Sequence, residues 1–340
     1  MKFTLTSFLR SQFATLPPVD CPDLSGRVVI VTGSNVGLGF EAAKTLAKYN
    51  PSHLILAVRN VGLGEKAAQE IVEANEGKGT VPEVWELDLG KMQSVKDFAE
   101  RVNKELDRLD IVISNAGIAT EKFVRTVDGF ESTSQVNNIA NSLLSVLLLP
   151  KLQQTARLPA PPASPDLKPH LSIVASEVHH WINGVLPGMK ENRKDILQCF
   201  QEEALFVPKQ RYPESKAVNI LNAFTLAELA GSNVIVNSIN PGFCHSGLMR
   251  ESTGIAGLMG YLLKLLIARS TEVGSRNLVW AGTSETPSGA YVDSCQVHEP
   301  SDFVLSPEGK AIGAGIWDEM KTIWKEKAGV DADQVVAVAA

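Results

Sequence analysis

Cysteine is scarce. The 340-residue chain has four, Cys21, Cys199, Cys244 and Cys295, and they stand far apart. They match no metal-ligand spacing and no disulfide framework, so a reducing, cytoplasmic setting is expected and metal binding is not. Also missing is any run of about 18 apolar residues, so no membrane-spanning helix is expected. Residues 1–10 carry an apolar stretch too short and too interrupted for a signal peptide. Positive charge is not in excess, and the net charge of −6 argues against a nucleic-acid partner. There is no periodic repeat and no sign of a second domain. What is present is ordinary for a globular enzyme: 44% hydrophobic and 21% charged residues, in a chain long enough for one large core.

The first informative stretch lies near residue 27. Arg27-Val-Val-Ile-Val31 is short, β-branched and nearly all apolar, the pattern of a strand covered on both faces. It runs into Thr32-Gly-Ser-Asn-Val-Gly-Leu-Gly39. A helical pattern follows at residues 40–49, with Ala42, Ala43, Leu46 and Ala47 on its apolar side. Strand, glycine turn and helix make a phosphate cradle, because a helix N-terminus offers N–H donors and a positive dipole end. Gly33 permits the tight turn, Gly37 lets the backbone approach a pyrophosphate, and Gly39 lets the helix pack closely on the strand. Asn35 and Leu38 complete the turn. The spacing is Gly-x-x-x-Gly-x-Gly, not the commoner Gly-x-Gly-x-x-Gly.

Asn60-Val-Gly-Leu-Gly64 repeats Asn35-Val-Gly-Leu-Gly39 after a second apolar strand, Leu54-Ile-Leu-Ala-Val58. It lacks the leading Thr-Gly pair, so Gly62 and Gly64 are read as structural. Arg59 is the useful residue there. A dinucleotide site places an acidic residue at the end of the second strand for a free ribose 2′-hydroxyl, or an Arg nearby for a 2′-phosphate. Here the strand ends Ala57-Val58-Arg59, with no carboxylate before Glu65. A guanidinium makes paired bonds to phosphate oxygens. NADP is therefore favoured over NAD.

Tyr212-Pro-Glu-Ser-Lys216 puts a phenol and an ammonium one helical turn apart, on one face. Pro213 suits the first position of that helix, which would leave Tyr212 at the helix mouth. A free phenol has a pKa of about 10, and a nearby cation favours the phenolate. Such a group can pass a proton to or from a carbonyl or alcohol oxygen.

Taken in order, Thr32-Gly33-x-x-x-Gly37-x-Gly39, Ser114-Asn115-Ala116-Gly117, Ser176, Tyr212-x-x-x-Lys216 and Asn240-Pro241-Gly242 resemble the motifs of the short-chain dehydrogenase/reductases. The resemblance spans roughly residues 26–300. Its flavour is similar to the retinol-dehydrogenase-like branch and to carbonyl reductases of fungal secondary metabolism, through Asn35-Val-Gly-Leu-Gly39, Ala57-Val-Arg59 and Asp128-Gly-Phe-Glu131. It implies a catalytic set of Asn137, Ser176, Tyr212 and Lys216. Ser176 would hold the substrate oxygen, Lys216 the nicotinamide ribose, and Asn137 a proton-relay water. Asn138, with the same side chain, competes for that last role. The resemblance also places Asp88 and Leu89 near the adenine, and Asn115, Ala116 and Gly117 along the ribose. Pro241, Gly242 and Ser246 fall at the carboxamide. Ser114 departs from the usual Asn, Ala175-Ser176 from the usual Ser-Ser, and Ser246 from the usual Thr.

The expected architecture is α/β: a single doubly wound parallel sheet of about seven strands with helices on both faces. Residues 1–25 read as an N-terminal extension, 26–300 as the catalytic domain and 301–340 as a C-terminal helical extension. Residues 177–211 form an insert between Ser176 and Tyr212, longer than in compact family members, with a helix-like pattern at residues 195–206. His179 and His180 tempt a metal reading, but adjacent residues of an extended chain point to opposite sides. The insert and a segment near residues 244–272 are read as caps over the substrate. Gly257 to Ala268 is its most apolar part, with contact to a membrane surface as the less favoured reading.

The expected activity is NADPH-dependent reduction of a ketone or aldehyde, or the reverse alcohol oxidation, on a bulky apolar small molecule. The alternative is a pocket of the same fold used for isomerisation, cyclisation or ligand binding. A homodimer is one assembly such a chain could form, and the sequence does not fix the oligomeric state.

Overall fold

The computed structural model describes residues 5–182, 186–189, 194–245 and 267–337. After an N-terminal helix, Leu5–Gln12 (α1), strands and helices alternate. They run Val28–Thr32 (β1), Gly37–Ala47 (α2), His53–Val58 (β2), Val61–Ala74 (α3), Glu83–Glu86 (β3), Met92–Glu105 (α4) and Ile111–Ser114 (β4). Then come Ala140–Thr155 (α5), His170–Val174 (β5), Pro208–Ala230 (α6), Ile235–Asn240 (β6), Thr271–Thr283 (α7), Ala290–Asp293 (β7), Gln296–His298 (β8) and Pro307–Ile323 (α8).

The strands form one sheet in the order β3-β2-β1-β4-β5-β6-β7-β8. Every pairing from β3 to β7 is parallel. The strand order reverses between β1 and β4, and ligands of such sheets bind beyond the carboxyl ends at that switch point. The eighth strand was not anticipated. β8 pairs antiparallel with β7 through a two-residue turn, Ser294 and Cys295, both at positive φ. Its three residues are all exposed, so no apolar pattern marks it.

The core follows from strand periodicity. Val28 and Ile30 of β1 join Ile55, Ala57 and Val112 on one face, under α4, α5, α6 and α8. Val29 and Val31 join Leu54, Leu56 and Ile113 on the other, under α2, α3 and α7. Successive side chains of a strand point to opposite faces, so a strand covered on both sides must be apolar throughout. The C-terminal segment belongs to the first layer: Trp324 is fully buried and its indole donates to the Ile139 carbonyl at 3.0 Å.

Two local expectations are corrected. The helix carrying Tyr212 begins at Pro208, and Pro213 lies inside it. Pro208 takes the first position, where the missing N–H has no intrahelical acceptor, and Pro213 forfeits only its bond to the Lys209 carbonyl. The histidine pair sits on a 3₁₀ turn, Glu177–Ile182, rather than on extended chain, and its rings stack with centroids 4.0 Å apart.

The helix-like stretch of the insert resolves into two short turns, Ile196–Cys199 and Glu203–Leu205. The first is core: Leu197, Cys199 and Phe200 are fully buried. The Arg211 guanidinium lies 4.2 Å from the Phe200 ring centroid. Gln201 accepts from the Glu131 backbone at 2.7 Å and donates to Ser134 Oγ at 3.1 Å. This part of the insert is built into the domain.

Candidate active site

The site gathers at the carboxyl ends of β1, β4, β5 and β6. At β1 the glycine turn gives Gly33 and Gly39 the conformational and packing reasons for glycine that the sequence suggests. Gly33 has φ +63°, and a Cβ there would lie 2.9 Å from Ala116 Cα. A Cβ on Gly39 would lie 2.5 Å from Asn115 Nδ2 and 2.7 Å from the Gly33 carbonyl. Gly37 has φ +64° and nothing within 4 Å of its Cβ position. Packing thus requires Gly33 and Gly39, whereas the space before Gly37 is open. The N-cap of α2, Val36, supplies no side-chain hydrogen bond. The first N–H groups of the helix therefore remain for an anion. Asn35 and Leu38, half-buried, flank this opening.

β4 is tied to this turn. Asn115 Nδ2 donates to the Thr32 carbonyl at 2.9 Å, and the Ala116 N–H donates to Thr32 Oγ1 at 2.9 Å. Ser114, in the place of the usual Asn, is buried and bonds Asn141 at 2.5 Å. Arg59 is exposed at the end of β2. Asp88 holds the Gly90 N–H at 2.9 Å and faces Lys91 at 3.6 Å, with buried Leu89 beside it. Of the repeated glycines, Gly64 is held by packing. A Cβ on Gly64 would lie 2.6 Å from Val84 and 2.7 Å from Val58.

Asn137 lies in a π-helical turn, Gln135–Ile139, just before α5. Such turns change side-chain register and are frequent at functional sites. Its amide donates to the Ile118 carbonyl and to Ser215 Oγ, both at 2.9 Å, and accepts from the Ile118 N–H at 2.9 Å. Asn138 donates only to α6, to the Ser215 carbonyl and Asn219 Oδ1 at 2.7 Å, whereas Asn137 also ties Ile118. A Cβ on Gly117 would lie 3.2 Å from Asn137 Oδ1 and 3.5 Å from Lys216 Nζ. Gly117, Asn137 and Lys216 are therefore neighbours.

Ser176 follows β5 and hydrogen-bonds the Tyr212 phenol. Lys216 Nζ donates to the Val174 carbonyl at 2.8 Å and lies 5.5 Å from the Tyr212 ring centroid. Burial pushes the Lys216 ammonium down to about 7. Burial also raises the Tyr212 phenol well above its ordinary range; the Ser176 hydrogen bond opposes that rise and nearby Glu177 adds to it. The expected depression of Tyr212 by Lys216 is absent here, because desolvation dominates and the ammonium is itself destabilised.

At the end of β6, Asn240 Oδ1 accepts from both the Glu177 and Gly242 N–H groups, at 3.1 and 3.0 Å. It joins the segment after Ser176 to the Pro241-Gly242 turn. Sequence reasoning quoted Asn240 only as part of its motif and missed Glu177. The signal was its place directly after Ser176. Glu177 is buried, and burial, then the charge of Asp293, push its carboxyl up to about 7. Ser246 and most of the apolar segment at 257–268 lie outside the described residues.

His179 is committed to the fold. Its Nδ1 faces the Ser176 carbonyl at 2.6 Å, and its Nε2 accepts from the Ser301 N–H at 2.9 Å. Burial, then His180, hold it down at about 3, so it is a neutral ring with both nitrogens engaged. Among the described residues no group of three or more His, Cys, Asp or Glu is arranged to hold a metal ion.

The model of the short chain dehydrogenase family matches residues 27–157. The chain is 40% identical over 332 residues to the short-chain dehydrogenase anuD of Penicillium roqueforti, covering 94% of this chain and 83% of that protein. It is 36% identical over 319 residues to the short chain dehydrogenase/reductase dmxR8 of Cryptosporiopsis sp., covering 92% and 95%. The chain belongs to the short-chain dehydrogenase/reductase family. It is thus an oxidoreductase of a family that uses nicotinamide cofactors. Among solved structures, an uncharacterised protein of Mycobacterium paratuberculosis aligns with TM-score 0.66 and 26% identity, covering 90% of this chain and 96% of that one. A Shigella flexneri short chain dehydrogenase complexed with NADP aligns with TM-score 0.56 and 22% identity over 80% and 99%, a likeness of fold. No helix among the described residues is long and apolar enough to cross a membrane.

Proposed function

We propose that this family member is an NADPH-dependent carbonyl reductase, running in either direction, for a bulky apolar small molecule, with a place in fungal secondary metabolism. The observation that carries the reading is the convergence of Ser176, Tyr212, Lys216 and Asn137 near Gly117, on the segment that Asn115 ties to the glycine turn. The residues present fit a dinucleotide. Gly37 leaves room before a helix N-terminus whose N–H groups have no side-chain cap, and Arg59 stands exposed where a 2′-phosphate would fall.

When bound, the nicotinamide supplies or accepts the hydride. The chain's own residues handle the oxygen. Tyr212, kept neutral by burial, donates a proton to the forming alkoxide, and Ser176 donates a hydrogen bond to the same oxygen. Lys216 holds the ribose, and Asn137 orders the water that returns the proton. By the family resemblance, Asp88 and Leu89 would hold the adenine, Asn115 to Gly117 the ribose, and Pro241 and Gly242 the carboxamide. Apolar side chains near this mouth favour an apolar substrate: Trp181 is 55% exposed on the turn after Ser176, and Val207 is 46% exposed before α6.

The test is incubation of purified protein with NADPH and a size-graded panel of ketones and aldehydes, read as loss of reduced-nicotinamide absorbance. Efficiency should rise with apolar bulk. Binding of bulky ligands without any absorbance change would favour an isomerising, cyclising or binding pocket instead.

A further inference from the structure

We infer that the N-terminal helix α1 is a working part of the cofactor site, with Gln12 and Arg269 as positioning residues for the turn at residues 241–244. The inference rests on the reading above that this turn meets the nicotinamide end.

An isolated helix of about eight residues is not stable in water, so α1 must be held by tertiary contacts. Those contacts converge on one place. Gln12 is 4% exposed. Its Nε2 donates to the Phe243 carbonyl at 2.7 Å and to the Ile267 carbonyl at 2.6 Å. Its Oε1 accepts from the Phe243 N–H at 3.0 Å. The side-chain amide thus pairs with both backbone groups of Phe243, as a neighbouring strand would, and reaches across to Ile267.

Arg269 closes the arrangement from the other side. Its backbone N–H donates to the Phe243 carbonyl, and its carbonyl accepts from the His245 N–H, both at 2.9 Å. Its guanidinium turns back to the C-terminal end of α1. Nε donates to the Gln12 carbonyl at 3.3 Å, and Nη2 donates to the Ser11 carbonyl and to Ser294 Oγ. A cation there meets the last carbonyls and the negative end of the helix dipole. Ser11 Oγ extends the tie to Asp293 at the end of β7, at 2.9 Å.

The turn is gripped from both ends. Asn240 holds the Gly242 N–H from the β6 side, and Gln12 holds Phe243 from the α1 side. Arg269 also explains the residue between them. Gly242 has φ +79°, and a Cβ there would lie 2.8 Å from Arg269 Nη1. A binding loop fixed before its ligand arrives loses less entropy on binding. Removing the grip should therefore cost cofactor affinity before it costs the fold, because α1 lies outside the sheet and its two covering layers.

The experiment compares full-length wild type with Gln12→Ala and with Gln12→Glu. The Glu variant keeps the acceptor for Phe243 but loses both donations. Amide hydrogen exchange is followed at Phe243, His245 and Arg269, with Val29 to Val31 of β1 as the internal reference. NADPH affinity is measured by fluorescence titration, and kcat and KM separately. The Ala variant should exchange faster at all three amides and the Glu variant at His245 and Arg269, neither of them in β1. The NADPH dissociation constant should rise roughly tenfold, as expected for the loss of one or two hydrogen bonds, with kcat less affected than the KM for NADPH. Unchanged exchange at these amides would overturn the latch. Faster exchange with unchanged NADPH affinity and KM would overturn the positioning role and leave a purely structural contact. Wild type that binds no reduced nicotinamide would instead sink the proposed function itself, a result seen before any variant is made.

Discussion

The Lys216 ammonium nitrogen lies 5.5 Å from the centroid of the Tyr212 ring and donates to the Val174 carbonyl at 2.8 Å. The two groups share a helical face, yet desolvation acts on both and favours the neutral form of each. Tyr212 is therefore held as a protonated phenol, the form a proton donor needs. Tyr212→Phe removes only that hydroxyl and its bond to Ser176. Turnover should fall by about 10²–10⁴-fold, the usual worth of a positioned acid, while NADPH affinity stays within about threefold, less than one hydrogen bond's worth. Lys216→Ala should lose both, because it removes the proposed ribose contact as well. Single-turnover rates with NADPH titrations separate the cases. A Phe variant that kept most of its rate would move the acid elsewhere.

Glu177 gives a pH signature. Burial raises its carboxyl from 4.5 to about 7 in the folded protein. The folded state therefore binds more protons than the unfolded chain between these values, and stability must fall as pH rises through that window. Its contribution is complete below about pH 4.5 and is lost as pH passes about 7. Other buried groups titrate nearby, so the informative quantity is a difference. Glu177→Gln should lose less stability than wild type between pH 5 and 8, by an amount on the order of 3 kcal/mol for a buried group shifted this far. Urea unfolding at the two pH values measures it. Parallel pH profiles for both proteins would mean that Glu177 ionises normally.

The sheet and the order of its motifs were legible because they depend on local rules. A strand covered on both faces must read as an apolar run, and a phosphate cradle needs glycine at set places. Asn137 was distinguished from Asn138 by resemblance, and the π-turn shows the physical difference between them. What escaped the sequence was set by tertiary contact. Gln12 gives no local sign that it pairs with Phe243, 231 positions away. The fate of His179 depends on Ser301, 122 positions away. Pro213 misled because one proline looks like any other as a helix start, and Pro208 had the prior claim.

The glycine turn separates packing from ligand space. Gly39→Ala would drive a methyl to within 2.5 Å of Asn115 Nδ2 and 2.7 Å of the Gly33 carbonyl, forcing α2 off β1. It should lower the thermal midpoint clearly and abolish cofactor binding. Gly37→Ala meets no neighbour within 4 Å but must hold φ +64°. The strain is about 1 kcal/mol, so the midpoint should move only slightly while NADPH affinity falls. Thermal unfolding and fluorescence titration of both variants test this. Equal destabilisation by the two substitutions would show that Gly37, too, is a packing residue.

Arg59 carries the proposed preference for NADP. It stands exposed at the end of β2, where the chain offers no carboxylate to a ribose 2′-hydroxyl before Glu65. An exposed guanidinium gains little from the fold itself, so Arg59→Ala should leave stability within about 0.5 kcal/mol of wild type. A 2′-phosphate would accept charge-assisted bonds worth about 1.5–3 kcal/mol in total. NADPH affinity should then fall by roughly 10- to 100-fold, while NADH, which has no phosphate at that position, should change less than about twofold. Rising salt should weaken NADPH binding to wild type and flatten in the variant, because the lost contact is ionic and exposed. Equal losses for the two cofactors would remove Arg59 from the phosphate site. A wild type that binds NADH as tightly as NADPH would remove the NADP preference altogether and leave Arg59 a solvated residue.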